Sequence, residues 1–215
     1  MKEVLAKLVE GRPLAEGDVE QAVGTIMDGR ATPAQIGAFL VALRMRGESV
    51  GDLVAAVRAV RARALRVSVA GPLVDTCGTG GDGLGTFNAS TAAALVAAAG
   101  GVRVAKHGNR AASGKVGAAD VLEAAGVRLE LPPHRAAAAI EEIGFAFLFA
   151  PLYHPAFRHV AGPRREIGVR TLFNLVGPLC NPAGATRQVV GIPDERWLEP
   201  VAQALGRLGA EHVLV

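Results

Sequence analysis

The sequence predicts an α/β protein in which a small all-helical domain precedes a larger, mostly parallel sheet flanked by helices. Three observations carry this. Residues 1 to about 66 show helical periodicity and no convincing strand. From Leu73 onward, short apolar strand-like runs alternate with Ala-rich helical stretches, which is the pattern of a parallel sheet covered by helices. The first of those runs leads into a glycine loop and then directly into a helix.

In the amino-terminal part, Leu5, Leu8 and Val9 come before Val19, Val23 and Ile26. These apolar residues occupy more than one helix face, so a bundle this small is expected to bury some of them against a partner. Thr32-Pro33-Ala34-Gln35 reads as a capping box with Pro at the first helical position, opening a helix whose apolar face carries Ile36, Phe39, Leu40 and Leu43. Ser49 with Asp52 caps the next helix, which buries Leu53, Val54, Val57 and Val60. Gly29 and Gly47 stand where carboxyl-terminal caps belong. Arg58, Arg61, Arg63 and Arg66 fall at helical spacing without interleaved aromatics, so they read as a solvated face rather than a nucleic-acid stripe.

Strands are expected at 73–76, 102–106, 145–149, 188–192 and 212–215, with helices near 90–99, 118–125, 133–143 and 195–208. The segment 162–182 has no strand character. Its run Thr171 to Val176 reads as a short helix ended by Gly177-Pro178.

Chemistry concentrates in two loops. The first is Asp75-Thr76-Cys77-Gly78-Thr79-Gly80-Gly81-Asp82, followed by Asn88-Ala89-Ser90-Thr91. Four glycines within six residues (Gly78, Gly80, Gly81, Gly83) lie between strand and helix. That order gathers bare backbone N–H groups and the positive end of a helix dipole around one small volume. Glycine also lets the backbone approach an anion closely. The loop reads as a phosphate cradle, although a tight βα turn without ligand would look similar. It is not a P-loop, since no Gly-Lys-Ser/Thr follows, and its glycine spacing differs from the dinucleotide fingerprint. The second loop is Lys106-His107-Gly108-Asn109-Arg110-Ala111-Ala112-Ser113-Gly114-Lys115, which also follows a strand and holds two of the chain's four lysines. In a parallel sheet both loops emerge at the carboxyl ends of neighbouring strands, where open α/β sheets bind ligands.

Bulk properties suit a cytoplasmic enzyme. No apolar run reaches the length of a membrane span, and the amino end lacks a signal-peptide core. Two cysteines make no disulfide framework, which points to a reducing compartment. Cys77 reads as a small filler at a strand end, with no sequence-local base to activate it. A net charge of +3 suits an anionic substrate, but solvated arginines explain it equally well.

GTGGD, the N-x-S-T after it and KHGNRAAS, together with Ala31 to Ile36, Gly117 to Gly126 and Arg170 to Pro182, resemble the anthranilate phosphoribosyltransferases along the whole chain. Gly114, Val116 and Ala118 depart from the family's usual serines, and Cys180 from its usual threonine. The resemblance implies a nucleoside phosphorylase/phosphoribosyltransferase-like fold. Its helical domain would cover 1–66 with a return segment at about 163–182, and its α/β domain 67–162 and 183–215, with the active site in the cleft between. It also implies a homodimer joined through the helical domain, Mg²⁺ as cofactor, and a place in tryptophan biosynthesis. The reaction implied moves the phosphoribosyl group of 5-phosphoribosyl-1-pyrophosphate (PRPP) to the amine of anthranilate.

By the same resemblance, PRPP is expected on Gly78, Thr79, Gly80, Gly81, Asp82, Thr86, Asn88, Ala89, Ser90 and Thr91 of the first loop. On the second it is expected on Lys106, His107, Gly108, Asn109, Arg110, Ala111, Ala112, Ser113, Gly114 and Ala118. Anthranilate is expected on Gly78, Asn109 and Arg164, with His107, Tyr153 and His154 as further candidates for the pocket wall, and Mg²⁺ on Ser90; His154, before a Pro, reads equally as a helix-start residue. No residue reads as a clear acid, base or nucleophile. The residue types suit the task. Positive charge develops on the sugar and negative charge on the leaving pyrophosphate, so positioning and electrostatics dominate. Lys106 supplies a point charge, Ser90 a hard oxygen ligand, and Arg164 a fork for the carboxylate. Asp82 would take a hydroxyl, a water or an amide. Arg164 is expected just after a Gly162-Pro163 turn, on the cleft wall opposite the glycine loops; Arg165 and Arg158 are the competing candidates. His134 carries no functional case, and Arg170 reads as a structural bridge between domains.

The family has an acidic pair after the strand at 212–215, holding a second Mg²⁺, and further strands and helices beyond it. This sequence stops at that strand, so it is expected to be the front part of a longer protein. Unpaired, that strand would be an aggregation-prone edge. Two other classes are weaker. A pyrimidine-nucleoside phosphorylase-like enzyme is disfavoured by Asn109-Arg110 and Gly162-Pro163-Arg164, which follow the anthranilate family's spelling. A non-enzymatic nucleic-acid-binding relative is disfavoured by the two glycine-loop motifs and the lack of a basic stripe.

Overall fold

Thr32 and Ser49 open two of the four helices that fill residues 1–66 of the computed structural model, which describes residues 1–80, 87–111 and 116–215. The four are α1 (Lys2–Val9), α2 (Glu16–Met27), α3 (Pro33–Arg46) and α4 (Val50–Arg61). Both capping boxes form. Thr32 Oγ1 accepts from Gln35 N at 3.2 Å and Gln35 Oε1 accepts from Thr32 N at 3.0 Å, while Ser49 and Asp52 repeat the exchange. Each satisfies orphan donors of a helix start. The core of the bundle runs from Val19, Val23 and Ile26 through Phe39, Leu43, Leu53 and Val57. Distant residues Leu172, Phe173, Val176 and Leu179 pack into the same cluster.

The arginines of α4 are not one solvated face. Arg58 and Arg63 pair with Glu16 and Asp28. Arg61 turns inward instead: its Nε donates to Leu179 O at 2.8 Å and its Nη1 to Leu208 O at 3.4 Å. The cause is tertiary, because the segment around Leu179 and a helix carboxyl end cover that side of α4, and helix-end carbonyls favour a cation.

The remainder builds one sheet of five parallel strands in the order β3-β2-β1-β4-β5. They are β1 (Val74–Gly78), β2 (Val104–Gly108), β3 (Phe145–Phe149), β4 (Arg187–Gly191) and β5 (His212–Leu214). Helices α5 (Ala89–Ala99), α6 (Ala118–Ala124) and α7 (Pro133–Ile143) lie in the connections between β1, β2 and β3. From β1 the chain winds outward through β2 and β3, then crosses back to β4 on the other side. This reversal beside β1 opens a crevice beyond the carboxyl ends of the strands.

After β3 come α8 (Ala150–Tyr153), a 3₁₀ turn at Pro155–Phe157, α9 (Arg158–Ile167) and α10 (Phe173–Val176). A 3₁₀ turn at Glu195–Trp197, capped by Asp194, leads into α11 (Leu198–Arg207), which packs on α4. One punctuation reading is corrected here. Gly162-Pro163 is not a turn: Pro163 is buried inside α9, where packing outweighs the helical hydrogen bond it forfeits. Gly177-Pro178 ends α10 as read, and the chain goes on as a 3₁₀ turn at Gly177–Leu179 whose first positions need no donor. Among the described residues no helix is long and apolar enough to cross a membrane.

Candidate functional site

The end of β1 is closed by backbone contact. A Cβ on Gly78 would lie 2.9 Å from Gly191 O of β4, and Thr79 N donates to that same oxygen at 3.0 Å. Only glycine lets the two strand ends approach so closely. Gly80 has φ 65°, the left-handed region, with open space around it. Across the crevice, Asn88 caps α5: its Oδ1 accepts from Thr91 N at 3.1 Å, Thr91 Oγ1 at 2.6 Å and Ser90 Oγ at 3.3 Å.

Lys106 joins these parts. It is 1% exposed, and its Nζ donates to Thr76 O at 2.5 Å and to Ser90 Oγ at 3.2 Å. One ammonium thus ties the end of β1 to the first turn of α5 from its seat on β2. Burial pulls its pKa down, and the nearby Asp75 pushes it back up. Asp75 is itself 0% exposed, with Oδ1 accepting from His107 N at 3.1 Å and Oδ2 from Asn181 Nδ2 at 2.8 Å. Burial raises its pKa and Lys106 opposes the rise. Sequence reasoning did not single out Asp75 or Asn181. The available signal was an aspartate directly ahead of the glycine loop, inside an otherwise buried run.

The second loop folds back on α6. Ala119 N donates to Asn109 O at 3.2 Å, and Asp120 Oδ2 accepts from both Gly117 N (2.8 Å) and Ala111 N (3.2 Å). A Cβ on Gly117 would fall 2.3 Å from Ala111 N, so the fold-back requires glycine there. The Arg110 guanidinium is committed to this helix. It pairs with Asp120 at 2.9 Å and Glu123 at 2.7 Å and lies 5.8 Å from the centre of the Phe149 ring. The expectations on Gly81, Asp82, Thr86, Ala112, Ser113 and Gly114 fall outside the described residues.

A row of rings lines the other side. The His107 and His154 rings lie 5.1 Å apart, His154 meets Phe157 edge-on at 5.8 Å, and Phe157 meets Phe173 at 6.0 Å. His154 Nε2 donates to Cys180 O at 2.9 Å, while His107 Nε2 is buried with no partner among the described residues. Burial keeps both rings neutral, lowering His107 to about 3 with help from His154 and Lys106, and His154 to about 4. Tyr153 is different. It is fully buried and its hydroxyl donates to Leu131 O at 2.7 Å, so it faces the core between sheet and α7 and leaves the pocket wall.

Arg164 is half-buried on α9, and burial pulls its pKa down. Among the described residues it has no carboxylate partner, whereas Arg165 and Arg170 are exposed. Burial pushes the Cys77 thiol well up and Cys180 to about 12, so neither is a thiolate. No group of three or more His, Cys, Asp or Glu residues is arranged to hold a metal among the described residues. Ser90 Oγ is nevertheless a hard oxygen of the kind Mg²⁺ accepts when substrate phosphates supply the remaining ligands.

A helical bundle followed by a parallel α/β sheet defines a class. The helical-bundle domain of the glycosyl transferase family matches residues 2–64 and that family's α/β domain matches residues 70–215, so the chain belongs to this family. Within it, the anthranilate phosphoribosyltransferase of Thioalkalivibrio sulfidiphilus is 58% identical over 216 residues. That match takes in 100% of this chain and 64% of the relative's length. The crystal structure of anthranilate phosphoribosyltransferase from Thermus thermophilus superposes with a TM-score of 0.92 at 54% identity, covering 96% of this chain and 63% of that one. The Saccharomyces cerevisiae enzyme in complex with PRPP and Mg superposes with a TM-score of 0.90 at 27% identity, covering 98% of this chain and 64% of that one.

Proposed function

We propose that this protein transfers the phosphoribosyl group of PRPP to the amine of anthranilate, releasing pyrophosphate, in tryptophan biosynthesis. The observation that carries the reading is Lys106, a buried ammonium held between the end of β1 and the first turn of α5. A buried cation beside a glycine-rich strand end and a helix amino terminus suits an anion that arrives with its own charge.

In this reading the C1–N bond forms as the C1–O bond to pyrophosphate breaks, and the amine proton is lost to solvent. Backbone amides at Gly78 and Gly80, with Lys106, hold the departing charge. Mg²⁺, when bound at Ser90 with the substrate, supplies further charge for the phosphates. Arg164 takes the anthranilate carboxylate as a fork of parallel donors. Asn109 meets the amine, and the neutral rings of His107 and His154 offer an apolar wall to the aromatic ring. Two copies pair through the helical bundle, where Val9 of α1 and Met45 of α3 are 82% and 83% exposed.

Anthranilate fluorescence tests this. Emission should fall only when PRPP and Mg²⁺ are both present, and Lys106→Met should abolish the fall while the protein stays folded. Full emission from the intact protein with both present would reject the activity.

A further inference from the structure

The sheet is paired unevenly. β1 runs in register with β4 over five residue pairs and β2 with β3 over five, but β1 and β2 keep only Val74↔Val104. Beyond that point side chains take over the freed main-chain groups. His107 N donates to Asp75 Oδ1, Asn181 Nδ2 donates to Ala105 O at 2.8 Å, and Lys106 Nζ donates to Thr76 O. Asn181 is fully used, since its Nδ2 also donates to Asp75 Oδ2 and its Oδ1 accepts from Ala183 N at 2.8 Å.

Asn181 in turn belongs to a strap held at successive residues by different elements. Gln188 of β4 donates to Pro178 O at 3.1 Å, Arg61 of α4 to Leu179 O, and His154 to Cys180 O. The strap therefore spans from the helical bundle to the gap between β1 and β2.

We propose that Asp75, with Asn181, is a positioning wedge: it holds β2 off β1 beyond the Val74–Val104 pair and sets the Lys106–Ala111 rim where PRPP phosphates bind. One carboxylate oxygen fixes the backbone next to Lys106; the other fixes the end of the strap. A simple packing role would be met by an apolar residue at this fully buried position, without the desolvation of a carboxylate. Burial raises the Asp75 pKa while Lys106, Asn181 and the His107 amide pull it down, as expected for a carboxylate retained for its contacts. The wedge rests on the PRPP reading above only for its link to binding.

The test is a reciprocal swap in the intact protein. Asp75→Asn sets an amide N–H₂ against Asn181 Nδ2, and Asn181→Asp sets carboxylate against carboxylate. Each single change should weaken Mg²⁺–PRPP binding in calorimetry by about ten- to a hundredfold, as expected when a charged hydrogen bond is broken. The double change restores donor to acceptor between positions 75 and 181, while Ala105 O stays without its donor, and should recover about tenfold of that loss. Backbone amide exchange at His107 should quicken in each single variant and slow again in the double. Singles that lower only the melting temperature, with PRPP affinity and His107 exchange unchanged, would reduce the pair to a structural pin and overturn the proposal. If the unaltered protein binds no PRPP, the substrate reading fails, and His107 exchange alone decides the wedge. Asn181→Ser, which keeps one donor, replaces Asp75→Asn if that variant does not fold.

Discussion

Arg164 and Arg165 are adjacent on α9 yet differ in surroundings, the first half-buried without a carboxylate partner among the described residues and the second exposed. A desolvated guanidinium is worth more to an incoming carboxylate than a hydrated one. Arg164→Ala should raise the KM for anthranilate by roughly ten- to a hundredfold, the loss of one charged contact of about 1.5–3 kcal/mol, and leave the KM for PRPP unchanged. Steady-state kinetics decides, and the same defect from Arg165→Ala instead would move the assignment. Gly78 makes a second case. Its added Cβ would press on Gly191 O, a backbone atom with no rotamer to yield. Gly78→Ala should cost about 1–3 kcal/mol in urea unfolding and weaken PRPP binding; an unchanged midpoint would show that β4 gives way. Lys106 and Ser90, which meet in the structure, stand out in the sequence because each belongs to one of the two loops. The Asp75–Asn181 pair was not, because its partners stand 106 positions apart.

At the scale of elements, signals written within a few residues survived into the structure. The Thr32–Gln35 box formed because both its hydrogen bonds lie inside one turn. Thr32→Ala should therefore cost about 1 kcal/mol and lower the melting temperature by a few degrees with PRPP affinity unchanged, as calorimetry can show. Gly177-Pro178 ends α10 as read, whereas Pro163 reads as a break and is not, because α9 packs on α3. Local propensity is worth about 1 kcal/mol a residue, up to about 3 for proline, which such packing overrides.

Across the whole molecule, buried histidines shape the response to acid. His154 is held neutral, its pKa lowered by burial to about 4 against 6.5 for the free ring, and the Cys180 carbonyl only partly opposes this. A depressed histidine pKa means the unfolded chain binds more protons, so stability is present above pH 6.5 and lost as pH falls towards 4. His154 alone accounts for a loss on the order of 3 kcal/mol, and His107 adds in the same direction. Asp75, with its pKa raised, works the other way over part of this range, but it is one group against two. Urea midpoints measured from pH 7 to 4 should fall, and His154→Gln, which keeps a donor for Cys180, should flatten the slope. The proposed dimer is tested at this scale as well. Sedimentation at micromolar concentration should show a dimer, and Met45→Glu should give a folded monomer; a monomer from the unaltered protein would count against pairing through the bundle.

The sequence by itself determined the helical start, the alternation of strands and helices, the glycine loops and the residues flanking them. Each of these is a local pattern, carried by periodicity, capping or backbone freedom within about ten residues. Tertiary structure alone decided that Arg61 turns inward, that Tyr153 faces the core while His154 faces His107, and that Arg110 is tied to α6. It also decided that the β1–β2 pairing lapses beside Asp75. Those outcomes depend on which distant element covers a side chain, and on the cost of burying a charge or donor without a partner, so they exist only once the chain has folded.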